Sequence, residues 1–277
     1  LGCGQTEVPD PREALRHQTG DWSREKMASA VREIGEFVPD LANASPDKED
    51  PLELEADEDY FGILCATLPP DIRELYFSYD EIFKRGYVAL NQGDFAKAAE
   101  LLQQAREKDS AESYISLELA TAYYNLDRHA EAQTLLEAFI KRFPFALPGY
   151  ELLCEIYWKN QSFDRAFKLL DTCPPELIES VALYLLKGET FYRARQFEKA
   201  KSLYQEFVST YGWNDQIMSS LALTHEALNE TKKAQQVYSE IIDRCKGCGV
   251  RIDPGIKHRY ANLCFAAGER STHILEL

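Results

Sequence analysis

Two cysteines near the C-terminal end of the sequence, Cys245 and Cys248, are separated by two residues. Thiolates at this spacing form half of a tetrahedral zinc site, which His258 or Cys264 could complete. The sequence lacks the second Cys-x-x-Cys pair that a strong zinc signature would show. Structural zinc, a redox pair and ordinary cysteines therefore all remain open. Ordinary cysteines are our expectation, so we predict no bound metal.

Histidine, serine and cysteine do not combine into a catalytic pattern elsewhere in the sequence. The sequence contains no glycine-rich phosphate loop and no metalloprotease helix motif. The histidines are His17, His129, His225, His258 and His273. We therefore predict that the chain is not an enzyme and uses no cofactor.

The net charge of -15 is concentrated at the N-terminal end of the 277-residue chain. Residues 1–78 contain 18 Asp and Glu against 7 Lys and Arg, whereas residues 79–277 contain 28 against 24. A surface that binds nucleic acid needs an excess of Lys and Arg, which displace counterions from phosphates. An anionic membrane surface demands the same excess. We expect neither as a partner.

The location of the protein is indicated by its cysteines and its hydropathy. No apolar run reaches the roughly 18 residues that a membrane-spanning helix needs. Seven cysteines spread through a long chain do not resemble the dense pattern of disulfide-stapled secreted domains. These features favour a cytoplasmic location. The alternative is a bacterial lipoprotein or periplasmic protein, with Cys3 in Leu1-Gly2-Cys3 as the lipidation site after a cleavage signal.

The elements that position any functional residue follow from an internal repeat of 34 residues. Five units run without a gap: 79–112, 113–146, 147–180, 181–214 and 215–248. Position 20 of every unit is alanine, and position 8 is always glycine, alanine or cysteine. Closely crossing helices require such small residues, so each unit is predicted to be a helical hairpin that packs on the next. A partial sixth unit, 254–277, follows a five-residue insertion.

This pattern resembles the tetratricopeptide repeat family, which has small residues at positions 8 and 20, an aromatic residue near position 11 and an apolar or aromatic residue at position 24. The resemblance implies an all-α fold, a right-handed superhelical solenoid of 34-residue helical hairpins. At position 11, His225 replaces the usual aromatic residue and is interpreted as a core histidine. Pro174 and Pro175 predict that the preceding helix ends at about Cys173 and that the next begins early, near Glu176.

In this family the first helix of each repeat lines a concave face along which a peptide lies, and the resemblance transfers that role to the matching positions. Position 12 holds Leu90, Tyr124, Trp158, Tyr192 and Glu226, and positions 5 and 9 of the first unit hold Phe83 and Tyr87. The predicted partner-binding groove consists of Phe83, Tyr87, Tyr124, Trp158 and Tyr192. Aromatic side chains suit such a groove because they supply contact area at low entropic cost. Packing alone equally explains aromatic residues at position 12.

The predicted function is a protein–protein interaction scaffold that binds a peptide or helix of an unidentified protein. One subtype of the family grips the C-terminal carboxylate of chaperones with Lys and Asn. Phe83, Tyr87 and Leu152 occupy the corresponding places here, so a chaperone-tail receptor is not expected. The alternative function is a regulatory or sensing arm of a larger enzyme or of an envelope lipoprotein complex.

Residues 1–78 form an acidic N-terminal segment. Within it, Met27, Val31, Ile34 and Phe37 fall on one face of a helix predicted near 22–38, which would cap the first repeat.

Residues 39–59 contain three prolines and the acidic stretch 47–59, and we predict a flexible linker there. The alternative is that this acidic stretch, continuing into 60–64, docks into a groove of the repeats as a removable plug.

Overall fold

The computed structural model describes residues 60–109, 113–178, 180–248 and 253–268. Residues 60–65 are helical, and they are followed by α1 (Pro70–Ser78), α2 (Glu81–Gln92), α3 (Phe95–Lys108), α4 (Ile115–Asn125), α5 (His129–Arg142), α6 (Leu147–Lys159), α7 (Phe163–Asp171), α8 (Pro175–Ile178), α9 (Val181–Arg193), α10 (Phe197–Tyr211), α11 (Asp215–Ala227), α12 (Thr231–Cys248) and α13 (Pro254–Ala266). Within these described ranges all regular secondary structure is helical. The predicted all-α fold of 34-residue helical hairpins is confirmed.

The chain divides into two compact units, residues 1–156 and 157–277, with the division inside α6. In the first unit α2 packs on α3, α3 on α4, and α4 on α5. In the second unit α9 packs on α10, α10 on α11, α11 on α12, and α12 on α13. These helices therefore bury their apolar faces against their neighbours along the chain, as expected of stacked hairpins.

Several first helices begin at a short polar side chain that caps their free amides. The Asp80 carboxylate accepts a hydrogen bond from the backbone N–H of Phe83 at 3.0 Å, ahead of α2. Asn214 accepts from the N–H of Ile217 at 3.1 Å, ahead of α11. Such caps satisfy donors that have no partner within the helix, so the helix starts are encoded locally.

Small residues at positions 8 and 20 allow the two helices of a repeat to approach each other. The alanines at position 20 are fully buried: Ala98, Ala132, Ala166, Ala200 and Ala234. At position 8, a Cβ added to Gly188 would lie 2.2 Å from the ring of Tyr204, and one added to Gly86 would lie 2.9 Å from Leu102. Both neighbours stand at position 24, so positions 8 and 24 of a repeat have complementary sizes.

The turn between the two helices of each repeat places position 15 in the left-handed backbone region. The residues concerned are Gly93, Asp127, Gln161, Arg195, Asn229 and, in the sixth unit, Gly268. In the first five repeats the following N–H bonds back to the carbonyl of position 11, as Asp94 does to Ala89 and Gln196 to Phe191. This is a Schellman helix end, which favours glycine at its left-handed position.

We expect Gln161→Gly and Arg195→Gly each to raise the free energy of unfolding by up to about 1 kcal/mol. A side chain in the left-handed region is unfavourable by about 1–2 kcal/mol, and the greater freedom of unfolded glycine offsets part of the gain. Equilibrium urea denaturation measures the change. Gly93→Ala, at the same position of the first repeat, is the matched control and should lower stability. A drop in stability with either glycine variant would contradict the prediction.

The prolines of the third repeat end its second helix but do not move the start of the fourth repeat. Helix α7 ends at Asp171, and Pro175 opens the separate four-residue helix α8. Helix α9 then begins at Val181, in register with the 34-residue period, because Ser180 is extended and its hydroxyl caps the N–H of Leu183 at 3.2 Å. The helix start predicted near Glu176 is therefore that of the short helix α8, which begins at Pro175, and the first helix of the fourth repeat starts later, at Val181.

The predicted capping helix near 22–38, the linker at 39–59 and the predicted second helix of the sixth unit lie outside the described residues. The start of that unit lies within them: α13 begins at Pro254, with the Asp253 carboxylate accepting from the N–H of Gly255 at 2.8 Å.

Candidate protein-binding site

Phe83 and Tyr87, two of the residues predicted to line the groove, lie in the core of the first unit. Phe83 is 0% exposed and Tyr87 is 7% exposed. The ring of Tyr76, on α1, lies 5.1 Å from each of them, and the ring of Phe61 lies 5.9 Å from Tyr87. Neither Phe83 nor Tyr87 offers a partner any appreciable surface, because residues 60–78 of the same chain cover them.

Polar contacts hold α1 in this position. The hydroxyl of Tyr76 donates to a carboxylate oxygen of Glu118 at 2.6 Å, and both side chains are buried. Beyond the end of α1, the ring of Tyr79 lies 4.5 Å from that of Phe83, and its hydroxyl accepts from the N–H of Tyr114 at 3.3 Å. Aromatic packing and the hydrogen bond to the buried Glu118 carboxylate thus both hold α1 against the repeats.

Tyr124, at position 12 of the second repeat, is partly exposed on the first unit. Its ring lies 5.3 Å from that of His129, at position 17. Tyr192, at position 12 of the fourth repeat, makes the same kind of contact with Phe197, with ring centres 5.1 Å apart, and is also partly exposed. At both positions one part of the aromatic ring packs on the hairpin and another part remains accessible.

Trp158 has a different environment from these two tyrosines, being only 6% exposed. Its indole N–H donates to the hydroxyl of Thr190 at 3.0 Å. The guanidinium of Arg193 stacks 4.7 Å from the centre of the indole ring and donates to Glu189 at 2.6 Å. Trp158 is therefore a packing residue, and Arg193 is the exposed group that covers it.

Glu226, at position 12 of the fifth repeat, is the acidic member of the series. Its carboxylate accepts from the hydroxyl of Tyr238 at 2.5 Å and pairs with Arg259 of α13 at 3.5 Å. Burial, followed by the bond to Glu226, raises the pKa of Tyr238 well above its ordinary value. The phenol therefore stays a hydrogen-bond donor at any physiological pH.

Phe265 was not identified from the sequence, although it stands at position 12 of the sixth repeat. Counting twelve positions from Pro254 would have found it. The side chain is 52% exposed on α13. The first helices of the second unit thus present Tyr192 and Phe265 at equivalent repeat positions, with the pair of Glu226 and Arg259 on α11 and α13.

His225 belongs to a cluster of polar and charged side chains in the second unit that is centred on Glu230. Its imidazole Nδ1 lies 2.5 Å from Glu230, which also accepts from Lys233 at 3.0 Å and from Lys201 at 3.2 Å. The bonds from Lys233 and His225 hold the pKa of Glu230 down to about 2. His225 is buried, which confirms its interpretation as a core residue.

The cysteines considered for zinc lie only partly within the described residues, because the side chain of Cys248 lies outside them. Cys264 is buried, with the side-chain amide of Gln235 3.6 Å from its sulfur. His258 is exposed and lies 3.0 Å from Asn262. Among the described side chains, no three His, Cys, Asp or Glu residues are arranged to hold a metal ion.

Comparison with known protein families identifies the type of repeat that these helical hairpins form. Two family models described as tetratricopeptide repeat match the chain, at residues 89–148 and 182–212. The chain is a tetratricopeptide repeat protein. Repeats of this kind serve protein–protein interaction, so the repeat protein is an interaction scaffold with protein partners. In the part of the chain that the structure describes, no helix is long and apolar enough to cross a membrane.

Solved structures similar to this tetratricopeptide repeat protein include a thermophilic protein of the same repeat class from Thermus thermophilus. That protein is 17% identical, the match covers 66% of this chain and 97% of that chain, and the TM-score is 0.50. MamA from Desulfovibrio magneticus is 16% identical, with 60% and 96% covered and a TM-score of 0.47. The Thermus structure supports the shared fold. No curated protein matches the sequence.

Proposed function

We propose that this tetratricopeptide repeat protein binds a peptide or helix of a partner protein on the first-helix face of its second unit. The observation that carries the proposal is the partly exposed aromatic residue at position 12 in two repeats of that unit, Tyr192 and Phe265. Tyr192 stands on α9, which packs on α10, and Phe265 stands on α13, which packs on α12, so little side-chain entropy is lost when a partner covers either ring. Of the residues first predicted, Tyr192 and, in the first unit, Tyr124 retain accessible surface.

Charged groups beside these aromatic residues would orient the partner. Glu226 and Arg259 form an ion pair, and Arg193, paired with Glu189, covers Trp158. Ion pairs at the edge of an apolar contact contribute to specificity and association rate more than to affinity. The proposed partner therefore presents apolar side chains for Tyr192 and Phe265 and polar groups between them.

The test is affinity capture from the native cell with the wild-type chain and with a Tyr192→Ala/Phe265→Ala variant, followed by mass spectrometry. We expect at least one partner to be recovered by the wild type and lost by the variant. Phe145→Ala is the matched control, because Phe145 is 59% exposed but lies in the loop before α6. Circular dichroism must show the same helix content in all three proteins.

The identified partner is then purified and titrated against the three chains by calorimetry. We expect the double variant to bind at least tenfold more weakly and the Phe145→Ala control to bind as the wild type does. Equal affinity of all three would refute the proposed face and direct the search to Tyr124 in the first unit.

We propose a non-catalytic role without a cofactor, in which the partner is a protein rather than nucleic acid. The charge distribution and the repeat class support this proposal. The alternative of a regulatory or sensing arm stays a prediction, and residues 1–59 of the acidic N-terminal segment 1–78 lie outside the described residues.

A further inference from the structure

The first-helix face of the first two repeats is covered by another part of the same chain. Residues 60–78, hereafter segment 60–78, comprise the helical stretch 60–65 and α1. Phe61, Leu64 and Cys65 are all buried, at the i, i+3 and i+4 spacing by which an amphipathic helix lies in an apolar groove. Segment 60–78 therefore has the form of a bound helical ligand.

The contacts of Tyr76 resemble recognition of a side chain by a pocket. Its ring packs edge-on against Phe83 and Tyr87, with both interplanar angles at 85°. Its hydroxyl reaches the carboxylate of Glu118, which is only 3% exposed. A buried carboxylate is unfavourable without hydrogen-bond donors, so a pocket of this kind selects a ligand that brings a donor at the tip of an aromatic ring.

Segment 60–78 consists of short helices. Its helices span six and nine residues, whereas isolated helices shorter than about 12 residues are marginal in water. Ile63 and Phe77 are among its exposed large apolar side chains. The segment therefore depends on packing against the repeats for its structure.

We propose that the first-helix face of the first two repeats is a helix-binding site, occupied in cis by segment 60–78, whose ligands are amphipathic helices presenting a tyrosine hydroxyl to Glu118. A partner helix with the same pattern takes the place of the segment. Because segment 60–78 is tethered directly to α2, its effective concentration at the site is about millimolar. The site therefore opens only to a partner that binds better than the segment. The proposal concerns the first unit and does not depend on the face proposed in the second unit.

The test uses the full chain and a fluorescein-labelled synthetic peptide of residues 60–78, followed by fluorescence anisotropy. The chain carrying Phe61→Ala/Tyr76→Ala has a weakened internal ligand and an intact site. We expect it to bind the peptide at least tenfold more tightly than the wild-type chain does. A peptide with Tyr76→Phe should bind about tenfold more weakly, since the buried carboxylate then loses a donor. A peptide with Ile63→Ala, which changes a side chain that is 61% exposed, is the control and should bind like the unmodified peptide.

A folded double variant that fails to bind the peptide overturns the proposal. Should the variant not fold, native-state hydrogen exchange of the wild-type chain decides. We expect the amides of α1 to lose protection at a lower denaturant concentration than those of α4, because the segment opens separately. Loss of protection in α1 and α4 at the same concentration would show that the segment is an integral part of the first unit, and the proposal would be wrong.

Discussion

Gly188→Ala is expected to lower the free energy of unfolding by about 3 kcal/mol. The added methyl group would lie 2.2 Å from the ring of Tyr204, whose side chain is buried. Overpacking of this kind forces side chains off their preferred rotamers and shifts the backbone. Urea denaturation monitored by circular dichroism measures the effect. Gly62→Ala is the matched control, because a Cβ there meets no atom within 4 Å, and it should leave stability unchanged or slightly higher.

A second substitution tests the size complementarity of positions 8 and 24. Ala120 and Leu136 fill these positions in the second repeat, and both are fully buried. Introducing Tyr204→Leu beside Gly188→Ala recreates that pair, so the double variant should be more stable than Gly188→Ala alone. A coupling free energy of about 2 kcal/mol is expected for residues in direct contact. Purely additive effects would show that the two positions do not determine the approach of the helices.

Trp158→Ala is expected to lower the free energy of unfolding by about 3–5 kcal/mol, the range found when a buried large aromatic side chain is truncated. The substitution removes the packing of the indole and the hydrogen bond to Thr190. Tyr192→Ala, which truncates a partly exposed ring at the same repeat position, should lower it by less than about 1.5 kcal/mol. Thermal and urea unfolding of both variants measure the difference.

The contrast between Trp158 and Tyr192 determines how partner binding must be tested. A variant that combines Trp158→Ala with substitutions of Tyr192 would lose binding through unfolding, and the loss would say nothing about the surface. If Trp158→Ala were as stable as the wild type, the indole would be accessible, and Trp158 would again be a candidate binding residue.

The division between structural and binding roles follows the repeat geometry. Position 12 faces the hairpin on one side, where Tyr124 packs on His129 and Tyr192 on Phe197. A side chain as large as tryptophan at this position reaches the next repeat and hydrogen-bonds to Thr190. The same position therefore stabilises the stack in the third repeat and leaves accessible surface in the fourth.

Much of the fold was predictable because its determinants are local. The small residues at positions 8 and 20 recur within every 34-residue unit and act on the two helices of that unit. Capping side chains such as Asp80 and Asn214 act on the helix that follows them directly. A helix start or a turn depends on neighbouring residues. The same locality explains why α9 starts in register with the 34-residue period after the prolines, since its start depends on the cap at Ser180.

The sequence alone therefore determined the helical hairpins and predicted the positions from which a binding face would be built. The tertiary structure decided which of those positions retain surface. Phe83 and Tyr87 are covered by segment 60–78, and Trp158 is enclosed by Thr190 and Arg193. These contacts join residues far apart in the sequence, and burial depends on every segment that packs over a side chain. A repeat pattern indicates the face on which a residue lies, but only the packed chain shows what covers that face.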